Sequence, residues 1–156
     1  IYAGLMITTS GLKVIEFNCR FGDPECQTIM PLIGPELANI LHACSLGCLD
    51  KAPKLSISEL CSVCVVAAAS GYPEAPRNGD LIKINIQPSK SLQLFHAGTR
   101  SGEGNEIYTS GGRVLSVVSQ GDNFDDAFKN AYKGMDQISF NGINYRRDIG
   151  NQVRNL

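Results

Sequence analysis

Glu16-Phe17-Asn18-Cys19-Arg20-Phe21-Gly22-Asp23-Pro24-Glu25 is the stretch on which the reading of this chain turns. It joins an apolar run to a compact turn and then to the start of a helix. On a strand the side chains alternate between two faces. A strand carried through residue 20 therefore presents Glu16, Asn18 and Arg20 on one face and sends Phe17 and Cys19 the other way, into a core. An acid, an amide and a guanidinium pack poorly, so their shared face suggests chemistry. A carboxylate and an amide oxygen two residues apart suit a hard, oxygen-seeking cation such as Mg²⁺. An Arg beside them suits a carboxylate or a phosphoryl group, through its planar fork. Together these point to phosphoryl transfer, which relies on positioning and charge neutralisation. A solvated sheet face with an Arg–Glu pair accounts for the same spacing and stays open at this point.

Upstream, residues 2–8 and 12–17 read as two strands around a Thr9-Ser10-Gly11 turn. Downstream, Asp23 is placed as an N-cap and Pro24 as the first residue of a helix ending near Pro31. A second helix is expected from Pro35 to about Leu46, with Leu37, Ile40, Leu41 and Cys44 along its apolar face and Gly47 at its end. The stretch Asp50–Pro53 reads as a boundary. Beyond it the texture is strands and turns: Cys61–Ser70, Asp80–Ile86, Leu92–Ala97, two strands around the Ser101–Asn105 tip, and Arg113–Ser119. A helix over Phe124–Met135 and a last strand over Ile143–Tyr145 complete the expectation.

Composition narrows the function classes. Hydrophobic residues are 43% and charged residues 19%, which argues against disorder. The 14 Lys and Arg against 15 Asp and Glu give a net charge of −1, without the basic excess of a nucleic-acid binder. No apolar run reaches the roughly 20 residues of a spanning helix. Neither a nucleic-acid nor a membrane partner is expected.

The six cysteines, Cys19, Cys26, Cys44, Cys48, Cys61 and Cys64, mimic a zinc-site spacing in their last four. Cys61 and Cys64 lie on one strand, three residues apart, and so face opposite ways. The preferred reading is small buried hydrophobes in a reducing compartment, which means cytoplasm. His42 reads as a surface residue and His96 as structural. Gly111-Gly112-Arg113 reads as a hairpin turn in preference to a phosphate cradle. Arg146, Arg147 and Asp148 read as a domain-packing ion pair.

The strand Glu16-x-Asn18 followed by Arg20 resembles the metal-binding strand of the ATP-grasp superfamily, and the string from Glu16 to Gln27 resembles its glycinamide ribonucleotide synthetase family. Further resemblances run in the same order: Tyr2–Met6, Ser70–Pro73, Phe95–Thr99, Ser110–Leu115 and Tyr145–Gly150. The resemblance implies an α+β fold. Residues 1–52 would be the C-terminal end of an ATP-grasp domain with its metal-binding strand. Residues 53–156 would be a small β-rich, barrel-sandwich-like C-terminal domain with one helix.

It also implies an ATP-dependent ligase of purine biosynthesis, which forms glycyl phosphate and passes the glycyl group to 5-phosphoribosylamine. Glu16 and Asn18 would bind Mg²⁺ or Mn²⁺, and Arg20 would steady the acyl phosphate. Arg20, Gly22, Asp23 and Glu25 would shape the substrate side. ATP, glycine and 5-phosphoribosylamine are then the small-molecule partners. The chain begins mid-strand, so a missing N-terminal portion of the same enzyme is a further expected partner. A second enzyme fused downstream stays open. Two alternatives stand beside this. A biotin-carboxylase-like ATP-grasp enzyme shares the Glu-x-Asn-x-Arg strand. A non-catalytic binding or assembly module would keep its partner after removal of residues 1–50.

Overall fold

The structure is a computed structural model, and it describes residues 1–151 and 153. The expected second unit runs to residue 156, so its positions 152 and 154–156 lie outside the described residues.

Strands β1 (Tyr2–Thr8) and β2 (Gly11–Asn18) form an antiparallel hairpin. The turn is set by Gly11 at φ +100° and by Thr8, whose hydroxyl donates to the Gly11 carbonyl at 2.7 Å. Pairing runs Tyr2 to Asn18, Ala3 to Phe17 and Gly4 to Glu16, then resumes at Leu5 with Val14. Ile15 is the extra residue of a bulge, a device that re-aims the side chains beside it.

Helix α1 (Glu25–Ile29) starts one residue later than expected, and Asp23 does not cap it. The Asp23 carboxylate is engaged elsewhere, by Gln27 Nε2 at 3.1 Å and by Arg113 at 2.9 Å. The chain does not stop at Pro31 but tightens into a 3-10 turn over Met30–Leu32, where the proline's missing N–H is tolerated. Helix α2 (Leu37–Ser45) is capped by Leu46 and followed by Gly47, whose φ is +68°. Its expected apolar face is only partly covered: Leu37 and Ile40 are half-buried, while Leu41 and Cys44 are exposed. A second 3-10 turn follows at Leu49–Lys51.

The core belongs to the second part of the chain. Strand β3 (Cys61–Ala68) is followed by the short strands β4 (Lys83–Ile84), β5 (Leu92–His96), β6 (Thr99–Ser101) and β7 (Ile107–Thr109), and by the long strand β8 (Arg113–Gly121). The main sheet is antiparallel in the order β3-β8-β5. Helix α3 (Phe124–Met135) packs on it, and α1 also touches β3. The helix bounds are those expected, because Asn123 caps it: its side chain accepts from the Asp126 N–H at 2.9 Å. Val65, Ala67, Val114, Leu115, Val117, Ala127, Ala131 and Met135 are fully buried.

Two strand expectations are corrected. Of Asp80–Ile86, only Lys83–Ile84 forms a ladder, with strand β9 (Ile138–Ser139). The segment changes partner midway, since the Ile82 N–H donates to the Ile107 carbonyl at 2.8 Å and the Asn85 N–H to Gln137 at 3.0 Å. Its buried alternation survives in Ile82 and Ile86. Ile143–Tyr145 makes one bridge, Asn144 to Ala68, where β3 ends. The α+β class and the β-rich second part with its one helix stand; among the described residues the sheets are small and no closed barrel forms. No described helix is long and apolar enough to cross a membrane.

Candidate functional site

The acid–amide pair forms as the strand period requires. Asn18 Nδ2 donates to Glu16 Oε1 at 2.9 Å. Gly4 lies opposite Glu16, and a side-chain carbon there would crowd Glu16 Cγ at 3.1 Å, so glycine leaves the carboxylate its room. Glu16 offers carboxylate oxygens and Asn18 an amide oxygen on one strand, although here the amide meets the carboxylate through its Nδ2. That fits part of a Mg²⁺ or Mn²⁺ shell, because such ions take one or two protein carboxylates and complete their octahedron with phosphates and water.

Arg20 is not carried onto that face by the strand, which ends at Asn18. Its guanidinium donates to the Phe21 carbonyl at 2.8 Å, and it makes no ion pair among the described residues, so the Arg–Glu pair of the alternative reading is absent there. Arg20 lines a cleft of about 430 Å³ with Tyr2, Cys19, Phe21, Ile29 and Leu41. Phe17 and Cys19 do not enter a core. Phe17 is 68% exposed and Cys19 is exposed, so among the described residues no layer covers either side chain.

The turn after the strand is held tightly. Gly22 is buried, and a side chain there would collide with the Glu25 carboxylate and the Tyr2 ring. Its carbonyl accepts from the Cys26 N–H at 2.8 Å. Glu25 accepts from the Tyr2 hydroxyl at 3.0 Å, and this bond, aided by desolvation, raises the Tyr2 pKa. Tyr2 is itself the cross-strand neighbour of Asn18. Asp23 is clasped by Arg113, whose NH2 meets Oδ2 at 2.9 Å and whose NH1 donates to the Asp23 carbonyl at 3.0 Å.

Tyr2, Gln27 and Arg113, which spacing alone did not single out, thus contact the candidate site residues. Tyr2 and Arg113 lie within strings that carried the family resemblance. No local pattern marks a contact across 90 positions.

The remaining candidates sort as follows. His42 is exposed, and His96 Nδ1 lies 3.2 Å from the Thr99 hydroxyl. The Gly111–Gly112 turn is explained by packing: Gly111 lies against the Gly98 backbone, and a side chain on Gly112 would strike the Tyr72 ring. Arg146 and Asp148 pair through two bonds of 2.9 and 2.7 Å on the surface, and the Arg holds the Asp148 pKa below its ordinary value. That pair is local. Among the contacts between residues 1–52 and the rest of the chain are Arg113–Asp23, Gln120 Nε2 on the Pro31 carbonyl at 2.7 Å, and α1 against β3.

The cysteines are all free thiols, but Cys19 and Cys44 are exposed, against the expectation of burial. Cys64 is buried between α1 and β8, and burial pushes its thiol up to about 11, with Ser116 and Thr28 opposing. No group of three or more His, Cys, Asp or Glu able to hold an ion comes together among the described residues.

Comparisons with known proteins give two family matches. Residues 1–26 match the family model described as the phosphoribosylglycinamide synthetase ATP-grasp (A) domain, which sets the class. Residues 62–152 match the phosphoribosylglycinamide synthetase C domain, and the chain belongs to the phosphoribosylglycinamide synthetase family.

The phosphoribosylamine–glycine ligase of a Synechocystis strain is 44% identical over 155 residues, covering 98% of this chain and 37% of the relative. The bifunctional purine biosynthetic protein ADE1 of Schizosaccharomyces pombe is 42% identical over 155 residues, which is 19% of its length. A crystal structure of phosphoribosylamine–glycine ligase from Thermotoga maritima superposes with a TM-score of 0.79 at 32% identity, over 94% of this chain and 35% of that one. The chain thus spans little more than a third of the curated ligases it matches.

Proposed function

We propose that this chain forms part of an ATP-dependent ligase that joins glycine to 5-phosphoribosylamine, giving glycinamide ribonucleotide, ADP and phosphate. The observation that carries the reading is the Glu16–Asn18 contact, set within residues that match an ATP-grasp domain. Family membership displaces the carboxylase alternative. The names of the relatives support the substrate assignment.

In this reading Glu16 and Asn18 hold a Mg²⁺ or Mn²⁺ ion. When bound, the ion neutralises phosphate charge so that anionic partners can meet. Arg20 faces the acyl-phosphate side from its cleft and offsets developing negative charge. Gly22 lets the turn approach closely. Glu25, steadied by Tyr2, and Asp23, held by Arg113, shape the substrate side. Residues 1–52 serve as the end of the ATP-grasp unit and residues 53–156 as the C domain. The rest of the longer chain seen in the relatives supplies the remaining ATP site and covers the hairpin's apolar faces. The six free thiols suit a cytoplasmic setting.

The test is ADP release by the full-length protein, measured with glycine and 5-phosphoribosylamine each present or omitted. Release is expected to require both. Glu16→Ala is expected to lower turnover about a hundredfold or more, since a catalytic cation supplies several kcal/mol. It should also raise the Mn²⁺ concentration needed for half-maximal rate. Turnover without glycine, or an unchanged metal dependence in Glu16→Ala, would overturn the reading.

A further inference from the structure

We propose that Arg113 is a positioning residue for the ligase site, acting through Asp23 to fix the Arg20–Glu25 turn against the C-domain sheet. The inference rests on the functional reading above and adds to it a residue from the other part of the chain.

The backbone from which Arg113 projects is pinned on both sides. Its own carbonyl accepts from the Gly98 N–H at 2.8 Å, and the carbonyl of Gly112 accepts from Ala69 at 2.8 Å. The next two residues, Val114 and Leu115, are fully buried in the central strand. The side chain thus starts from backbone bonded on both sides at the head of the buried central strand. It ends on a turn that contains no regular structure between Asn18 and Glu25.

Both ends of the Arg fork land on one residue, the Asp23 carbonyl at 3.0 Å and Oδ2 at 2.9 Å, while Gln27 takes Oδ1 at 3.1 Å. Two bonds to one residue fix its orientation as well as its position. Arg20 is three residues before this anchor and Glu25 two after it.

Exposure decides what the clasp is for. Arg113 and Asp23 side chains are 41% and 49% exposed, and ion pairs so open to water add little to stability. A contact that spans 90 residues and stabilises little is best spent on geometry. Small displacements of reacting groups are costly, about a hundredfold for roughly 1 Å.

The experiment compares Arg113→Gln, Arg113→Lys, Asp23→Asn and the Arg113→Gln/Asp23→Asn double variant in the full-length protein. It measures kcat and KM for each substrate, the thermal midpoint, and exchange of the Cys26 amide, which is bonded to Gly22 within the turn. Arg113→Gln is expected to lose about 10- to 100-fold in kcat with KM for ATP and the thermal midpoint unchanged. Its Cys26 amide should exchange faster. Arg113→Lys should recover part of the loss, because it keeps the charge but not the fork. The double variant should lose no more than the worse single one, as two ends of one contact must.

Wild-type kcat together with wild-type exchange in Arg113→Gln would overturn the proposal. So would losses that multiply in the double variant, since Arg113 would then act independently of Asp23. Should the wild-type protein release no glycine-dependent ADP, the functional reading fails. The exchange measurement still decides the clasp, faster exchange supporting it and unchanged exchange overturning it.

Discussion

The β1–β2 hairpin and the β3-β8-β5 sheet are built from similar residues and meet opposite fates. In the hairpin Leu5, Met6, Ile7, Leu12, Val14, Ile15 and Phe17 are each at least half exposed. In the sheet Val65, Val114, Leu115 and Val117 are fully buried. The difference is not composition. The two-stranded ribbon leaves most of its apolar side chains at least half exposed and is touched by the following turn at Tyr2, whereas the three-stranded sheet has α3 on it and α1 against β3. A strand's alternation tells which residues share a face, but a second layer is needed to bury that face. The proposed chemistry sits on the poorly covered region, and Arg113 of the well-packed region is paired with Asp23 in the turn that follows it.

The widest test of this contrast is activity. The 156-residue chain alone is expected to release no ADP in the presence of ATP, glycine and 5-phosphoribosylamine, because its hairpin carries only part of a site. Measurable turnover by it would erase the distinction between the two regions.

The next largest effect is in stability. Leu115→Ala is expected to cost about 2–5 kcal/mol in urea unfolding, as cavity-forming changes in packed cores do. Phe17→Ser in the same chain should stay within about 0.5 kcal/mol. A comparable cost at the two positions would mean that the hairpin is covered after all.

Cys64 gives a pH-dependent version of the test. Its thiol is raised to about 11 by burial, against an ordinary value of 9.0. The folded state therefore keeps the proton while the unfolded state loses it. Stability from this group is complete below pH 9 and declines between pH 9 and about 11, by roughly 2–3 kcal/mol at most. Cys64→Ala should flatten that part of the alkaline decline. A thiol reagent should meanwhile label Cys19 and Cys44 quickly and Cys64 only on unfolding. The smallest expected effect is at the α3 cap, where Asn123→Ala should cost about 1 kcal/mol, read as a shift in unfolding midpoint.

Much of the fold was legible in the chain. The hairpin, α3, and the long strands β3 and β8 follow from periodicity and turn chemistry, while the choice of Asn123 as the cap of α3 came from the structure. The failures have local causes. Asp23 looks like an N-cap until a carboxylate that caps a helix is wanted by an Arg ninety positions away. Asp80–Ile86 alternates like one strand but divides its hydrogen bonds between two partners. Ile143–Tyr145 has strand residues but only the last pair of β3 to meet.

The site divides the same way. The sequence by itself determined that Glu16 and Asn18 would share a strand face, since side-chain alternation is a property of the extended backbone and needs no partner. It also determined the family, through strings in a fixed order. Only the tertiary structure decided that Arg20 leaves that face, that Tyr2 steadies Glu25, and that Arg113 holds Asp23. Each of these depends on where a strand stops or on which distant element lies alongside, and that is settled by the packing of the whole chain.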